Sequence, residues 1–377
     1  MDPTQLIGPA SPMGYPAPYW FLVLFKVLGF TLHTVPMNLW YAGLILAVLI
    51  YWRGGPNAKR LSGRLMNQMP IIIAYGINLG IVPLLFTQVA YYRVFYPATV
   101  LMAWPWFSII GLLTVAYYGV YIYVTALRKG VTHLSLLRRA AGWVSALLFI
   151  AIGFLFANSF SLMTNLEAWP SLWQSTSVAG APLGIALNVA DPTLWPRWLM
   201  MFGLALTTMG AYIVVDTAFF AGKETAEYRQ WAVDFALKVY ATGIVWFAVM
   251  GSWYVFGTWP ADLRQAMFSG PRLILTLLTM LGPGLPWLLI VAQRRRITRP
   301  LALLAGLAQF GVLGLNAVSR QVVQNIELGK YLDVTVGQVS VQWSPLILFL
   351  LLFMAGLGVV FWMVSKVVAA ERRSATT

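Results

Sequence analysis

The chain has 377 residues, of which 60% are hydrophobic and only 10% are charged. This composition excludes a soluble globular domain and predicts an all-α polytopic protein embedded in the lipid bilayer. The absence of cysteine excludes thiolate haem attachment and iron–sulfur ligation by the chain itself, and the net charge of +14 lies in short loops, where it indicates topology and no nucleic-acid partner.

Nine apolar runs follow one another along the chain, and each is long enough to cross a bilayer as a helix. The predicted spans are 19–51, 68–96, 99–126, 140–164, 195–221, 231–258, 272–293, 300–319 and 344–366. The first 18 residues are polar and rich in Pro and Gly, and the apolar run after them is too long for a signal-peptide core. We therefore expect the first run to remain as a helix.

Lysine and arginine alternate between the two sides of these spans. Of the 25 basic residues, 18 fall on one side and six on the other, with Lys26 inside the first helix. The positive-inside rule makes the rich side cytoplasmic. It predicts a multi-pass protein of the cell inner membrane, with the N-terminus outside and the tail 367–377 in the cytoplasm. The longest connections, 165–194 and 320–343, are then external.

The first helix contains two ionisable residues. His33 lies near its middle, where a titratable group is costly and often marks a cofactor, an ion path or a buried partner. The alternative is a neutral imidazole hydrogen-bonded to a neighbouring helix. Lys26 lies seven residues earlier, on the same helix face. Together they could hold the propionate and iron of a haem, or the carbonyl and head group of a quinone; alternatively, Lys26 snorkels to the outer surface.

Later spans add few ionisable groups. We expect Asp216 to pair with the basic loop at Lys223, with a role in a proton path as the alternative. Asp234 and Lys238 are spaced as an i,i+4 ion pair. The second histidine, His133, lies in a basic loop, so a haem with two histidine ligands from this chain is not expected. No catalytic motif is present, and a self-contained enzyme is not predicted.

Four short strings then occur in order along the chain. They are His33 with Pro36 and Gly43, the triplet Gly76–Ile77–Asn78, the string Ala157–Asn158–Ser159–Phe160, and the pair Arg320–Gln321 placed after the eighth helix. Their order and spacing resemble subunit I of cytochrome bd-type quinol oxidases over nearly the whole chain. The resemblance implies nine transmembrane helices arranged as two four-helix bundles plus a peripheral helix, with an external N-terminus.

On this resemblance, residues 1–377 form a single integral membrane domain. In chain order we expect an external N-terminal segment, a first four-helix bundle, an external loop, a second four-helix bundle, a second external loop, the ninth helix and a cytoplasmic tail: 1–18, 19–164, 165–194, 195–319, 320–343, 344–366 and 367–377. No catalytic residue is assigned. The cofactor-binding candidates are Lys26, His33, Asn78, Asn158, Arg320 and Gln321, and His33 is the candidate metal ligand.

The chain also departs from that family. No histidine occurs near Met201, where the resemblance implies a low-spin haem ligand. The third span has no acidic residue, and the glutamate expected just before the Arg–Gln pair is replaced around Ala317. The long external quinol-binding loop is missing. We therefore expect that most of the machinery for reducing oxygen has been lost.

The prediction is a membrane-integral subunit of a respiratory or electron-transfer complex. It would work with other membrane subunits, anchor an extramembrane redox protein such as a c-type cytochrome or an iron–sulfur protein, contact quinone, and hold at most one haem b. One alternative is a single-haem b-type cytochrome using His33. Another is a transporter or channel, favoured by the helix-breaking string 281–286 and by Asp216. A haem-free quinone-binding subunit of the polysulfide reductase type is a further alternative.

Overall fold

The computed structural model of the protein describes residues 2–129 and 134–374. The described part is almost entirely helical, with one small hairpin, β1 (Ser177–Val178) and β2 (Ala181–Pro182). Its helices are α1 (Tyr19–Arg53), α2 (Pro56–Ala90), α3 (Tyr92–Leu101), α4 (Ala103–Arg128), α5 (Leu136–Thr164), α6 (Trp169–Ser175), α7 (Leu194–Phe220), α8 (Ala226–Ser252), α9 (Ala261–Met267), α10 (Gly270–Leu281), α11 (Gly284–Gln293), α12 (Arg299–Leu328) and α13 (Trp343–Ser374).

Within these ranges nine helices are long and apolar enough to cross a membrane. They are α1, α2, α4, α5, α7, α8 with its π-helical continuation Trp253–Thr258, α10 joined to α11, α12, and residues Trp343–Met363 of α13. The predicted all-α membrane class and the nine predicted spans are confirmed for this part of the chain.

Two helices extend well beyond their predicted ends. α2 begins at Pro56 and not at residue 68, because a proline in the first turn suits a helix start and the polar residues after it continue the helix. It ends at Ala90, and the short α3 follows as a separate helix. α12 continues to Leu328, so Arg320 and Gln321 lie inside this helix and not in an external loop. Hydropathy falls at these polar turns although the helical backbone continues.

Helix packing places α1 at the centre of the molecule, in contact with α2, α5, α7 and α12. The other close contacts join α4 to α2 and α5, α7 to α8 and α12, and α11 to α8 and α12. α13 lies outside these contacts and exposes its spanning part, with Phe349 and Phe353 packed edge-on against Phe25 of α1. The division into two four-helix bundles, its residue boundaries and the membrane orientation stay predictions.

The segments 2–18, 165–193 and 329–342 meet at one end of the bundle, which we call the loop face. Tyr15 is paired with the segment before α13: its N–H donates to the Gln338 carbonyl at 2.8 Å, and Ser340 N–H donates to the Tyr15 carbonyl at 2.9 Å. Gly14 allows this approach, because it has a φ of +67° and a Cβ there would lie 2.3 Å from the Gln338 oxygen. These contacts join the start of the chain to the last connection.

Candidate functional site

His33 lies on the side of α1 that faces α2. Its Nδ1 lies 2.8 Å from the Gly76 carbonyl oxygen. A carbonyl only accepts hydrogen bonds, so Nδ1 carries the proton and Nε2 keeps the free lone pair. The imidazole packs so closely on α2 that a Cβ at Gly80 would lie 2.8 Å from its Cε1. His33 is therefore hydrogen-bonded to a neighbouring helix through Nδ1, and Nε2 has no hydrogen-bond partner among the described residues.

Lys26 does not snorkel to the surface. Its Nζ donates to Gln321 Oε1 and to Gln324 Oε1, each at 2.8 Å, and lies 4.3 Å from the centre of the Tyr91 ring. The long α12 explains the difference, because its last turns bring two amide oxygens to the ammonium. Across residues 2–129 and 134–374 no carboxylate lies within 4 Å of this ammonium. Its partners in these ranges are therefore neutral groups alone.

A network of neutral side chains surrounds the ammonium. The Tyr19 and Tyr91 hydroxyls are 2.7 Å apart, and both donate to Asn325 Oδ1, at 3.0 and 2.7 Å. Gln321 Nε2 donates to the Tyr91 hydroxyl and to the same Asn325 oxygen. We call Tyr19, Lys26, Tyr91, Gln321, Gln324 and Asn325 the lysine cluster. It joins α1, the end of α2 and α12 beneath the loop face.

Arg320 lies one position before the cluster on α12. Its guanidinium packs between two rings, with Cζ at 4.9 Å from the centre of Phe30 and 5.2 Å from that of Phe160. No salt bridge to Arg320 occurs in the described ranges. Two more buried donors, Arg197 Nη2 and Gln324 Nε2, have no hydrogen-bond partner among the described residues. A buried acceptor on the same helix as Gln324, Glu327 Oε2, also has no hydrogen-bond partner among the described residues, so the loop-face end holds unpartnered donors together with an unpartnered carboxylate oxygen.

The two asparagines proposed from the sequence do not join this cluster. Asn158 is fully buried, and its Oδ1 accepts a hydrogen bond of 3.0 Å from the Asn188 backbone, which fixes the connection before α7. Asn78 is exposed on the outer surface of α2, and its Nδ2 donates to Ala74 O in the same helix at 2.8 Å. Asn158 thus has a positioning role in the fold, and Asn78 faces away from His33.

The predicted ion pairs have other partners. Asp216 is buried and accepts from Arg64 at 2.9 Å and from Gln68 at 3.0 Å, whereas Lys223 is exposed. The sequence correctly predicted that Asp216 is paired, but it predicted a partner in the loop at Lys223. The partner in the structure is Arg64 of α2. Arg64 contacts Asp216 of α7 because α2 begins at Pro56, which makes Arg64 part of the helix and not of the preceding loop.

The i,i+4 pair expected on α8 is also replaced. Asp234 accepts from Arg294 Nε at 2.5 Å, and no salt bridge joins it to Lys238. Arg294 follows α11 and crosses to α8, so the charge pair links two helices and not two turns of one helix.

The break between α10 and α11 is satisfied internally. The Tyr240 hydroxyl lies 3.1 Å from the Pro283 carbonyl and 2.7 Å from Gln309 Oε1, within hydrogen-bond distance of both. Gln309 Nε2 donates in turn to Thr208 Oγ1, which also accepts from Asn38 Nδ2 at 2.9 Å. The freed carbonyl therefore belongs to a chain of neutral groups across the bundle centre. The carbonyl freed by the helix break and the Asp216 carboxylate both have partners inside the protein. Neither observation specifically supports the transporter alternative.

Sequence reasoning missed Tyr91, Gln324 and Asn325, which complete the lysine cluster. A signal was present: polar residues at 320, 321, 324 and 325 share one side of a helix that is otherwise apolar. His133 lies outside the described residues. Within the described residues no group of three His, Cys, Asp or Glu side chains could hold a metal ion.

Comparison with solved structures gives a match to the whole fold. The chain is similar to a chain of the bd oxidase from Geobacillus thermodenitrificans, with a TM-score of 0.70, 13% sequence identity, and coverage of 96% of this chain and 99% of that one. No protein-family profile and no curated protein matches. The predicted bd-like resemblance is thus confirmed at the level of the fold.

Proposed function

We propose that the chain is a membrane-integral subunit of a respiratory or electron-transfer complex, built on a scaffold like that of a bd oxidase. It lies in the cytoplasmic membrane with its N-terminus outside, contacts quinone and works with other membrane subunits. The observation that supports this most is the lysine cluster. A membrane protein that buries an ammonium beside a tyrosine pair without a carboxylate keeps a costly group for a purpose other than stability.

The chemistry of the cluster suits an electron carrier with carbonyl or hydroxyl oxygens. Lys26 and the unpartnered Gln324 Nε2 supply donors, and the Tyr19–Tyr91 pair supplies hydroxyl groups whose protons can shift between neighbouring oxygens. A quinone gains electrons together with protons at its two oxygens, so donors at this end of the bundle would stabilise the reduced oxygen. We infer that the chain does not reduce oxygen by itself, because its spans contain one histidine.

The loop face is the proposed docking side for an extramembrane redox protein, such as a c-type cytochrome or an iron–sulfur protein. The connection before α7 contains regular secondary structure, because α6 and the β1–β2 hairpin occupy residues 169–182. They expose apolar side chains outside the span region, including Val178, Leu183 and Val336. Apolar groups of this kind on a water-facing end are typical of a protein contact.

The test is purification of the native protein from its membranes in mild detergent. We expect the chain to migrate in an assembly above its own 41.9 kDa, with a haem- or iron–sulfur-containing subunit identified by mass spectrometry. A chain that purifies alone, folded and without any redox protein, would overturn the proposal.

A single-haem function at His33 is a second candidate, and the imidazole tautomer favours it. The Nδ1–H donated to Gly76 fixes the ring and leaves Nε2 as the ligand atom, as in many histidine–metal sites. Arg320, which packs against Phe30 one turn from His33, would face a propionate. A bound haem would supply one-electron transfer. In this candidate, His33 would supply one axial ligand and Arg320 one cation to the haem.

A reduced-minus-oxidised visible spectrum tests this candidate. We expect one b-type haem per chain in the native protein and none in His33→Ala. The control is Asn78→Ala, which should keep the haem because Asn78 is exposed on the far side of α2. Absence of a Soret band from native protein made in haem-sufficient cells would end this candidate and leave the quinone-contacting subunit.

A further inference from the structure

Four arginines lie close together at the turn between α11 and α12. They are Arg294, Arg295, Arg296 and Arg299, and all four are exposed. α12 runs from this turn to its end beneath the loop face, so the turn lies at the opposite end of the bundle. The positive-inside rule makes that end cytoplasmic. We call residues 293–299 the arginine turn.

A buried glutamine closes the arginine turn. Gln293, the last residue of α11, is fully buried. Its Nε2 donates to the Thr298 carbonyl at 2.8 Å, and its Oε1 accepts from Thr298 N–H at 2.8 Å. A solvated loop that only sets membrane topology needs no such closure, whereas a binding site gains affinity from a turn that is held before the ligand arrives.

The arginines at the two ends of the turn attach it to neighbouring helices. Arg294 Nε donates to Asp234 of α8 at 2.5 Å, and the Arg294 carbonyl accepts from Gln230 Nε2 at 3.2 Å. The Arg299 guanidinium packs over Phe219 of α7, with its Cζ 5.8 Å from the ring centre. The arginine turn is therefore held between α7 and α8.

The arginine turn keeps an excess of positive charge. Within residues 2–129 and 134–374, Asp234 is its one ion-pair partner, and Arg295 and Arg296 form no salt bridge. Four guanidinium groups and one carboxylate leave three positive charges uncompensated. Guanidinium groups bind phosphate oxygens through paired hydrogen bonds, so the turn suits a ligand that carries phosphate.

The start of α12 exposes leucines beside these charges. Leu303 and Leu307 follow Arg299 at i+4 and i+8, so they share its side of the helix, and they are 52% and 57% exposed. Leu304 is 53% exposed. All three belong to a candidate membrane span. A ligand with an anionic head and long apolar chains therefore matches the whole surface, and a water-soluble anion matches only the arginines.

We propose that the arginine turn binds an anionic phospholipid, with its phosphate held by Arg295, Arg296 and Arg299 and its acyl chains along the leucines of α12. Cardiolipin suits the three uncompensated charges best, because it carries two phosphates on one head group. This site goes beyond the proposed function and does not depend on it, because the turn and the lysine cluster lie at opposite ends of the bundle.

Native mass spectrometry of the full chain in neutral detergent counts the bound lipids. The purified chain is titrated with tetraoleoyl-cardiolipin and, in parallel, with dioleoyl-phosphatidylcholine, whose head group has no net charge. We expect one tightly bound cardiolipin per chain, and phosphatidylcholine binding that is about tenfold weaker or more.

The double variant Arg295→Gln with Arg296→Gln removes two of the charges and should weaken cardiolipin binding about tenfold. The matched control is Arg53→Gln with Lys59→Gln, at the α1–α2 turn of the same end. Both control residues are exposed and form no salt bridge in the part of the chain that the structure describes. The control loses the same charge and should bind cardiolipin like the native protein.

Gln293→Met keeps every charge and removes the two hydrogen bonds that close the turn. We expect cardiolipin binding about threefold weaker, because the arginines are no longer held for the ligand. This variant keeps the proposal testable if the double variant fails to fold, and unchanged binding in folded Gln293→Met would overturn the proposal.

Equal cardiolipin binding by the native protein and the folded double variant would also overturn the proposal. An equal loss in the control would do the same, because binding would then follow net charge and not the arginine turn. Inorganic phosphate in large excess should leave the bound cardiolipin in place. Displacement of the lipid by phosphate would assign the turn to a free anion and contradict a phospholipid site.

Discussion

Lys26 is the residue whose surroundings say most about function. Its ammonium has two amide oxygens and one aromatic face as partners, and an ion held inside a protein costs several kcal/mol of desolvation before any hydrogen bond is counted. Its two hydrogen bonds offset only part of that cost. A methionine would fill a similar volume without this cost. A lysine at this position is therefore consistent with the proposed function, in which a ligand or a proton needs the charge.

Asn325 supports the lysine cluster, and its replacement gives a clear prediction. Its Oδ1 accepts from Tyr19, Tyr91 and Gln321. Asn325→Leu leaves these donors without that acceptor, so we expect a loss of about 2–4 kcal/mol in the free energy of unfolding. The control is Asn78→Leu, which exposes an apolar side chain to lipid and should change stability by less than about 0.5 kcal/mol. Thermal unfolding in detergent measures both, and equal melting temperatures would contradict the network.

Substitutions at Asp216 and Lys223 distinguish the partner found in the structure, Arg64, from the partner expected in the loop. Asp216→Asn removes the charge opposite Arg64, but Glu224 still accepts from the same guanidinium at 3.3 Å. We expect a loss of about 2 kcal/mol, less than the roughly 3–5 kcal/mol typical of an isolated buried pair. Lys223→Gln should have no measurable effect. Chemical unfolding measures the free energy of unfolding of both variants. A larger loss in Lys223→Gln than in Asp216→Asn would contradict the Arg64 pairing and support a partner in the loop.

At the scale of helices, hydropathy predicted the number of spans but not their ends. The first turns of α2 and the last turns of α12 are polar, so a window tuned to the bilayer core stops before them. Both extensions matter for the site. The start of α2 supplies Arg64 and Gln68 to Asp216, and the end of α12 supplies Gln321, Gln324 and Asn325 to the lysine cluster.

Partners could not be predicted from the sequence for a further reason. Lys26 and Gln321 are 295 residues apart along the chain, and no local spacing encodes that contact. His33 was predictable as a candidate because an imidazole in an apolar helix is conspicuous in itself. Its hydrogen bond to the Gly76 carbonyl was not, because it depends on how closely α1 and α2 pack.

The α1–α2 contact gives a prediction at this scale. A Cβ at Gly76 would lie 2.0 Å from Cζ3 of Trp40, so Gly76→Ala must displace the Trp40 ring or push α1 and α2 apart. We expect it to cost about 2–3 kcal/mol of stability through overpacking. It should also weaken the hydrogen bond that holds His33.

The matched control is on the same helix. A Cβ added at Gly63 would meet no atom within 4 Å, so Gly63→Ala should stabilise α2 slightly through its higher helix propensity. Thermal unfolding of both variants measures the difference. Equal stability of Gly76→Ala and Gly63→Ala would contradict the close approach of α1 and α2.

At the scale of the whole molecule, polar groups meet along α1, α7 and α12 in an otherwise apolar bundle. The lysine cluster lies at the loop face, the Asn38–Thr208–Gln309 chain at the bundle centre, and the Arg64–Asp216 pair near the other end. The fold is kept at 13% identity to a bd oxidase chain because apolar helices with small residues at their contacts satisfy the bilayer with many sequences.

Reduction by a quinol is the most direct test of the proposed role. Decyl-benzoquinol is added to the native assembly purified in mild detergent, and the visible spectrum of the bound redox protein is followed. We predict reduction of its cofactor, at least tenfold slower in an assembly with Lys26→Met of unchanged stability. A cofactor that dithionite reduces but the quinol leaves oxidised would contradict the role proposed for this chain.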